Sequence, residues 1–312
     1  MKRATILMMI LAFATLVFAQ QTPPSKTSQG GAQPATPSST AQPNVAQPAP
    51  PQAPLQGKLP PQAKTQPEYD AYKAVRAEKD LAAFEKASDD FAVKYPDSDL
   101  RVLLYQGAMQ AYQAANNGEK ILEMGRKVLT LNPNQPEALI AVSEILVQRT
   151  RDTDLDKEQR WAEAEKDAQH ALETIDTELI IPPGTPQDRI DTVKKALRSE
   201  AYSVIGALKF SAEKYADAET NFRKSVDAFP EQPDAVVVLR LALSLDRQGK
   251  YAEALQQANR AVTLADESTT AGKLARQERD RLTQLTGGGS TAPATKPAGT
   301  QNPAPPARTP NK

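Results

Sequence analysis

The sequence predicts an all-α fold built as a solenoid of stacked helix pairs. Three observations predict it. A short pattern, Lys214-Tyr215-Ala216-Asp217-Ala218, recurs about 36 residues later as Lys250-Tyr251-Ala252-Glu253-Ala254. Apolar residues around each copy return at spacings of three and four, the period of a helix. Pro133 follows Pro96 by about 37 residues, and Pro230 closes the first copy; proline lacks an N–H and ends a helix. Self-similarity near 34 residues marks a helical-repeat array, in which each unit hides its apolar face against its neighbour.

The first copy shows how. Residues 199–211 carry Tyr202, Val204, Ile205 and Leu208 on one helical stripe. Residues 215–229 carry Tyr215, Ala218, Phe222, Val226 and Phe229 on a second, with Glu213 and Lys214 as the turn between them. Gly206 and Ala218 are small where the two helices should cross, and a larger side chain there would overpack by about 1–3 kcal/mol. The set Tyr202, Ile205, Gly206, Ala218, Phe222 and Pro230 resembles the signature of the tetratricopeptide repeat family. Ser225 and Lys209 depart from that signature, replacing its usual alanine and aromatic. The second copy carries Leu241, Ala242, Leu245, Ala254, Ala258 and Ala261, with Asp266 where the family places proline. The resemblance implies a right-handed helical-repeat solenoid of about five helix pairs plus a C-terminal capping helix.

Taken in order, residues 1–19 read as a signal peptide: Lys2 and Arg3, an apolar run from Ile6 to Phe18, and small residues before Gln20. The run is shorter than the ~20 residues that span a bilayer comfortably. No stable membrane insertion is expected after cleavage, and the chain should be exported, periplasmic or secreted, in a bacterial envelope. Residues 20–64 are Pro-, Gln-, Ala-, Ser- and Thr-rich and should form a disordered, extended linker. The repeat domain is expected over residues 65–285, with units near 65–98, 100–133, 136–176, 199–232 and 235–268 and a cap at 270–285. In the third unit the polar stretch 150–159 reads as an insertion ahead of Trp161-Ala162-Glu163-Ala164. A long helix should run from Pro186 to Phe210, with Thr185 as its cap and Pro186 in its first turn. The capping helix is highly charged, which suits the open end of a solenoid. Residues 286–312 should be a disordered tail.

Little in the chain points to catalysis, and no enzyme, cofactor or metal is expected. Lys and Arg total 38, as do Asp and Glu, so nothing draws the chain to nucleic acid. There is no cysteine, so helix packing alone must supply stability. His170 is the single histidine, too few for a zinc site, and is expected on an exposed or half-buried helix face. Asp152, Asp154 and Asp156 alternate as in a calcium loop, but the glycine and closing glutamate of such a loop are missing. Gly287-Gly288-Gly289-Ser290 lacks the lysine of a phosphate loop. Trp161 is expected in the core.

What the resemblance leaves is a concave groove along the first helix of each pair, where the family holds peptides or helices. Its inner positions here are Leu103, Gln106 and Gln110; Ile140, Glu144 and Val147; Glu200, Ser203 and Ala207; and Leu239, Leu243 and Asp246. Each serves either the groove or the packing beneath it. The lysine and asparagine cluster that clamps a peptide carboxylate in some members is missing, so that ligand is not expected. The expectation is a non-catalytic scaffold binding another protein or peptide; the alternative is a structural tether or assembly factor of an envelope or secretion complex.

Overall fold

The computed structural model describes residues 57–287. The signal segment, residues 20–56 of the linker and residues 288–312 lie outside the described residues. Eleven helices follow one another: α1 (Gln66–Ala77), α2 (Leu81–Lys94), α3 (Leu100–Ala114), α4 (Gly118–Leu131), α5 (Pro136–Arg149), α6 (Lys157–Glu178), α7 (Gln187–Ser211), α8 (Tyr215–Ala228), α9 (Ala235–Asp246), α10 (Tyr251–Leu264) and α11 (Thr270–Gly287). Each packs on the next along the whole series, and α1 on α3, α5 on α7, α7 on α9 and α9 on α11 also touch. Contacts between neighbours and next-but-one neighbours define a helical-repeat solenoid.

Local chemistry fixes the helix starts. Thr65 and Glu68 form a reciprocal capping box on α1. Asp80 caps α2 through Ala83 N at 2.8 Å. The Gln135 side-chain Oε1 accepts from Ala138 N at 2.6 Å and caps α5, and Asp234 caps α9 by accepting from Val236 N at 2.7 Å. Asn116, Glu213 and Gly249 each sit two residues before a second helix, with φ of 54°, 59° and 76°. The same left-handed turn therefore recurs in three pairs, although only one copy spends a glycine on it.

One expectation about helix capping is corrected. Thr185 does not cap α7. Its backbone N and its Oγ1 both donate to Pro182 O, at 3.2 and 2.7 Å, which closes the Pro182-Pro183-Gly184 turn and leaves Pro186 as the N-cap residue. Trp161, half-buried, packs on the core zone of Val142, Leu146 and Ala164 as expected. Lys157 Nζ lies 4.6 Å from its ring centroid.

The core runs through the stack in overlapping zones. Phe84, Phe91, Leu104, Met109, Met124 and Val128 fill the first two pairs. Ile175, Leu179, Ile190 and Leu197 join α5 to α6 and α7. Phe222, Val237, Leu241, Leu245 and Leu282 fill the last two pairs and the cap. Of the cap's three leucines only Leu282 is enclosed; Leu274 and Leu285 stay exposed. α5 is the most enclosed helix of the middle, with 10 of its 14 residues buried.

Composition assigned residues up to 64 to the linker, but 57–64 lie against the body. Lys58 N donates to Leu179 O at 2.8 Å and Ile181 N to Lys58 O at 2.8 Å, an isolated parallel bridge between Lys58 and Ile180. Lys58 Nζ adds an ion pair to Glu178 at 3.0 Å. Farther along, Lys64 Nζ reaches Asp97 O and Ala63 packs on the first core zone. The strap thus ties the connection after α6 back to the first pair. Gly57 makes it possible: its φ is +150°, and a Cβ there would lie 2.4 Å from Ile181 Cδ1 and 2.8 Å from Leu179 O. Gly57→Ala should therefore release the strap. Limited trypsin digestion should then cut after Lys58 and Lys64 at least tenfold faster than in the parent, while the melting temperature falls by only a few degrees, as expected for about 1 kcal/mol.

Candidate functional site

The first helices of the second, third and part of the fourth pairs meet around one shallow concavity that is open to solvent. Met109, Gln110 and Gln113 line it from α3. Glu137, Ile140, Ala141 and Glu144 line it from α5, and Leu197 and Glu200 from α7. Helical spacing explains the set: 110 and 113, 137, 140, 141 and 144, and 197 and 200 each fall on one stripe. No lysine, arginine or histidine is among the nine lining residues.

Glu137 is the chemically distinctive member. It is 9 % exposed and stands in the first turn of α5. Gln106 Nε2 donates to its Oε2 at 2.9 Å, and Gln135 Nε2 donates to the same oxygen. No cation pairs with it. Burial pushes its carboxyl up to about 7, against the opposing pull of the two amides. Gln110 is 8 % exposed. Gln113 Oε1 is buried with no hydrogen-bond partner.

Of the twelve positions read from the sequence, Gln110, Ile140, Glu144 and Glu200 line this concavity. Gln106 lies behind it, bonded to Glu137. Leu103 packs on the first core zone and Val147 on the zone of Val142 and Leu146. Ser203 and Leu239 are buried, and Ala207 and Leu243 pack on the last core zone. Asp246 faces the cap: Arg281 Nη2 approaches its Oδ1 at 2.6 Å, an ionic contact outside hydrogen-bond alignment. Sequence reading missed Met109, Gln113, Glu137, Ala141 and Leu197.

The other candidates are tied up. His170 bonds Asn134 Oδ1 at 2.8 Å and Glu173 Oε2 at 3.2 Å. Asp154 and Asp156 face Arg160 at 3.6 and 2.7 Å, and Asp152 faces Lys157 at 3.6 Å. On the joint of α2, α3 and α4, Glu85 accepts from Tyr112 Oη and pairs with Lys120 at 2.6 Å. Burial and Glu85 push the Tyr112 hydroxyl up to about 12. Among the described residues no helix is long and apolar enough to cross a membrane.

Fold and site together define the class: a helical-repeat solenoid with an acidic, amide-lined concavity at its middle. No family model and no curated protein matches the chain. Among solved structures, the crystal structure of MamA protein is similar at a TM-score of 0.44 and 14% identity, covering 72% of this chain and 96% of that one. The assembly chaperone of RpL4 (Acl4) is similar at a TM-score of 0.36 and 13% identity, covering 70% and 96%.

Proposed function

We propose that this chain is a non-catalytic protein-interaction scaffold of the cell envelope, holding a partner protein or peptide against the concavity between α3, α5 and α7. The observation that carries the reading is the convergence of three successive first helices on one recess. The export signal read at residues 1–19 supports the compartment. The test is a photo-crosslinking side chain placed in turn at Gln113, Glu144 and Glu200, which line the recess, in the cell of origin, with Val93, 83 % exposed on α2, as control. One protein should be captured from the first three sites and not from Val93. Equal capture from Val93, or none from any site, would overturn the proposal.

A tether is the second reading, and the strap favours it, because it fixes where the proline-rich linker leaves the body. Deleting residues 21–56 keeps the strap and separates the two. A tether should lose its function, while a scaffold should keep its crosslinks.

A further inference from the structure

We propose that the strap, residues 57–64, is a latch with two positions that decides where the proline-rich linker leaves the solenoid. Seated, the linker leaves at residue 57, beside the joint of α6 and α7. Released, it leaves at the capped start of α1. The trigger is load along residues 20–56, which pulls first on Gly57 and Lys58. The load rests on the tether reading; the latch itself does not.

Two independent observations carry it. The first is a hold that is small and unable to grow. A parallel ladder continuing from Lys58 needs residue 60 to donate to Ile181 O and residue 183 to donate to the carbonyl of residue 60. Both positions are proline, which has no N–H. The chain beyond Ile181 also turns away, because Thr185 N donates to Pro182 O at 3.2 Å. The bridge therefore stops at two backbone bonds, both 2.8 Å. Its one ion pair joins Lys58 and Glu178 side chains that are 53% and 24% exposed, and pairs so open to water hold weakly. Gln62 Nε2 donates to Pro60 O, within the strap itself. None of residues 57–64 is buried.

The second observation is a boundary that survives release. Glu68 Oε2 accepts from Lys64 N at 2.7 Å and from Thr65 N at 3.3 Å, and Ser98 Oγ donates to Oε1. The capping box of α1 closes through Thr65 and Glu68 alone. Peeling can therefore run from Gly57 to Ala63 and stop at Lys64 with every helix pair intact. The return is to one register. A slipped strap would set a side chain where a Cβ lies 2.4 Å from Ile181 Cδ1, and only Gly57 avoids that contact. A permanent strand would carry a longer ladder or a buried anchor, and this strap has neither.

The experiment uses the full chain without residues 1–19. Hydrogen exchange followed at single amides should show Lys58 and Ile181 opening together, at least about a hundredfold more often than Val142 of α5 and with little dependence on urea. Single-molecule stretching between handles on Gln20 and Lys312 should show a first lengthening on the order of 25–50 Å before any helix pair unfolds, because the seven steps from Gly57 to Lys64 span at most about 25 Å and turn over on release. The chain has no cysteine, so Lys58→Cys with Ile180→Cys, at the two bridge partners, can form one disulfide alone. Oxidised, it should remove the first lengthening and slow Ile181 exchange at least about tenfold; reduction should restore both. Should that disulfide fail to close, Gly57→Ala, released from the start, should lack the lengthening. Exchange at Lys58 and Ile181 as slow as at Val142, unlinked rates at the two amides, no first lengthening, or a lengthening that persists in the oxidised pair or in Gly57→Ala would overturn the latch. Function that survives deletion of residues 21–56 would remove the tether reading and its load, and leave the two positions of the strap standing.

Discussion

Replacing Phe222 with alanine should cost about 3–5 kcal/mol, the range for emptying a fully enclosed aromatic site. Phe222 is 0 % exposed and heads the largest enclosed side chains of the protein. Its ring lies on α7 at Gly206, where a Cβ would come within 2.7 Å of Cδ1 and Cε1. The contact therefore has two halves, and each has its own variant. Gly206→Ala should cost about 1–3 kcal/mol, because a rigid ring cannot bend aside as a flexible chain would. Combining Gly206→Ala with Phe222→Leu should cost clearly less than the two singles together, since the smaller side chain makes room for the new methyl. A solenoid is stabilised by nearest-neighbour contacts, so the loss should be local. Hydrogen exchange should accelerate in α8, α9 and α10, which share the core zone of Phe222, and stay near the parent rate in α2 and α3. Uniform acceleration through all eleven helices would mean that the stack unfolds as one body.

The same pair shows what was legible in the sequence. Gly206 and Phe222 announced themselves because a missing side chain and a large one recur at fixed places within a repeat, and packing rules leave few ways to use them. Pro96, Pro133 and Pro230 announced helix ends for an equally local reason. Glu137 did not, because its local context reads as an ordinary first-turn carboxylate after Pro136, favoured there by the helix N-terminus. Its burial comes from α3 and α7, which are about 30 and 60 residues away in the chain. Gln113 and Leu197 were missed for the same cause: which helix stripe faces the recess depends on the tilt between helices, not on the stripe itself. The strap was hidden by composition. Gly57 and Lys58 look like linker until Leu179 and Ile181 are brought beside them. Thr185 misled because a hydroxyl before a helix has two uses, and closing the turn at Pro182 took precedence over capping.

Glu137→Gln should raise stability above neutral pH by up to about 3 kcal/mol and leave it unchanged below pH 4.5. The argument compares the carboxyl in the two states. Its ordinary value is 4.5, and burial raises it to about 7 in the folded chain. Between those values the folded state holds a proton that the unfolded state has released, so stability falls as pH rises. The rise from 4.5 to about 7 corresponds to about 3 kcal/mol. The contribution is complete below 4.5, declines from there and is gone above about 7. Glu144 on α5 and Glu200 on α7 are the other titratable side chains lining the recess, and α3 presents only uncharged residues there. Glutamine keeps the shape and an acceptor oxygen for Gln106 and Gln135, but never ionises. Glu68 is the internal control. It is also buried, at 3 % exposed, yet its carboxyl is held below the usual range, chiefly by the Ser98 hydroxyl and also by the backbone N–H groups of Lys64 and Thr65. Its contribution is present above 4.5 and lost as pH falls through its lowered value, the opposite limb. Urea melts from pH 3 to 9 should therefore show a dome, with Glu137→Gln lifting the neutral limb and Glu68→Gln lowering stability above about 4.5 and so flattening the acid limb. A neutral limb unmoved by Glu137→Gln would mean that the recess admits enough water to keep that carboxylate solvated.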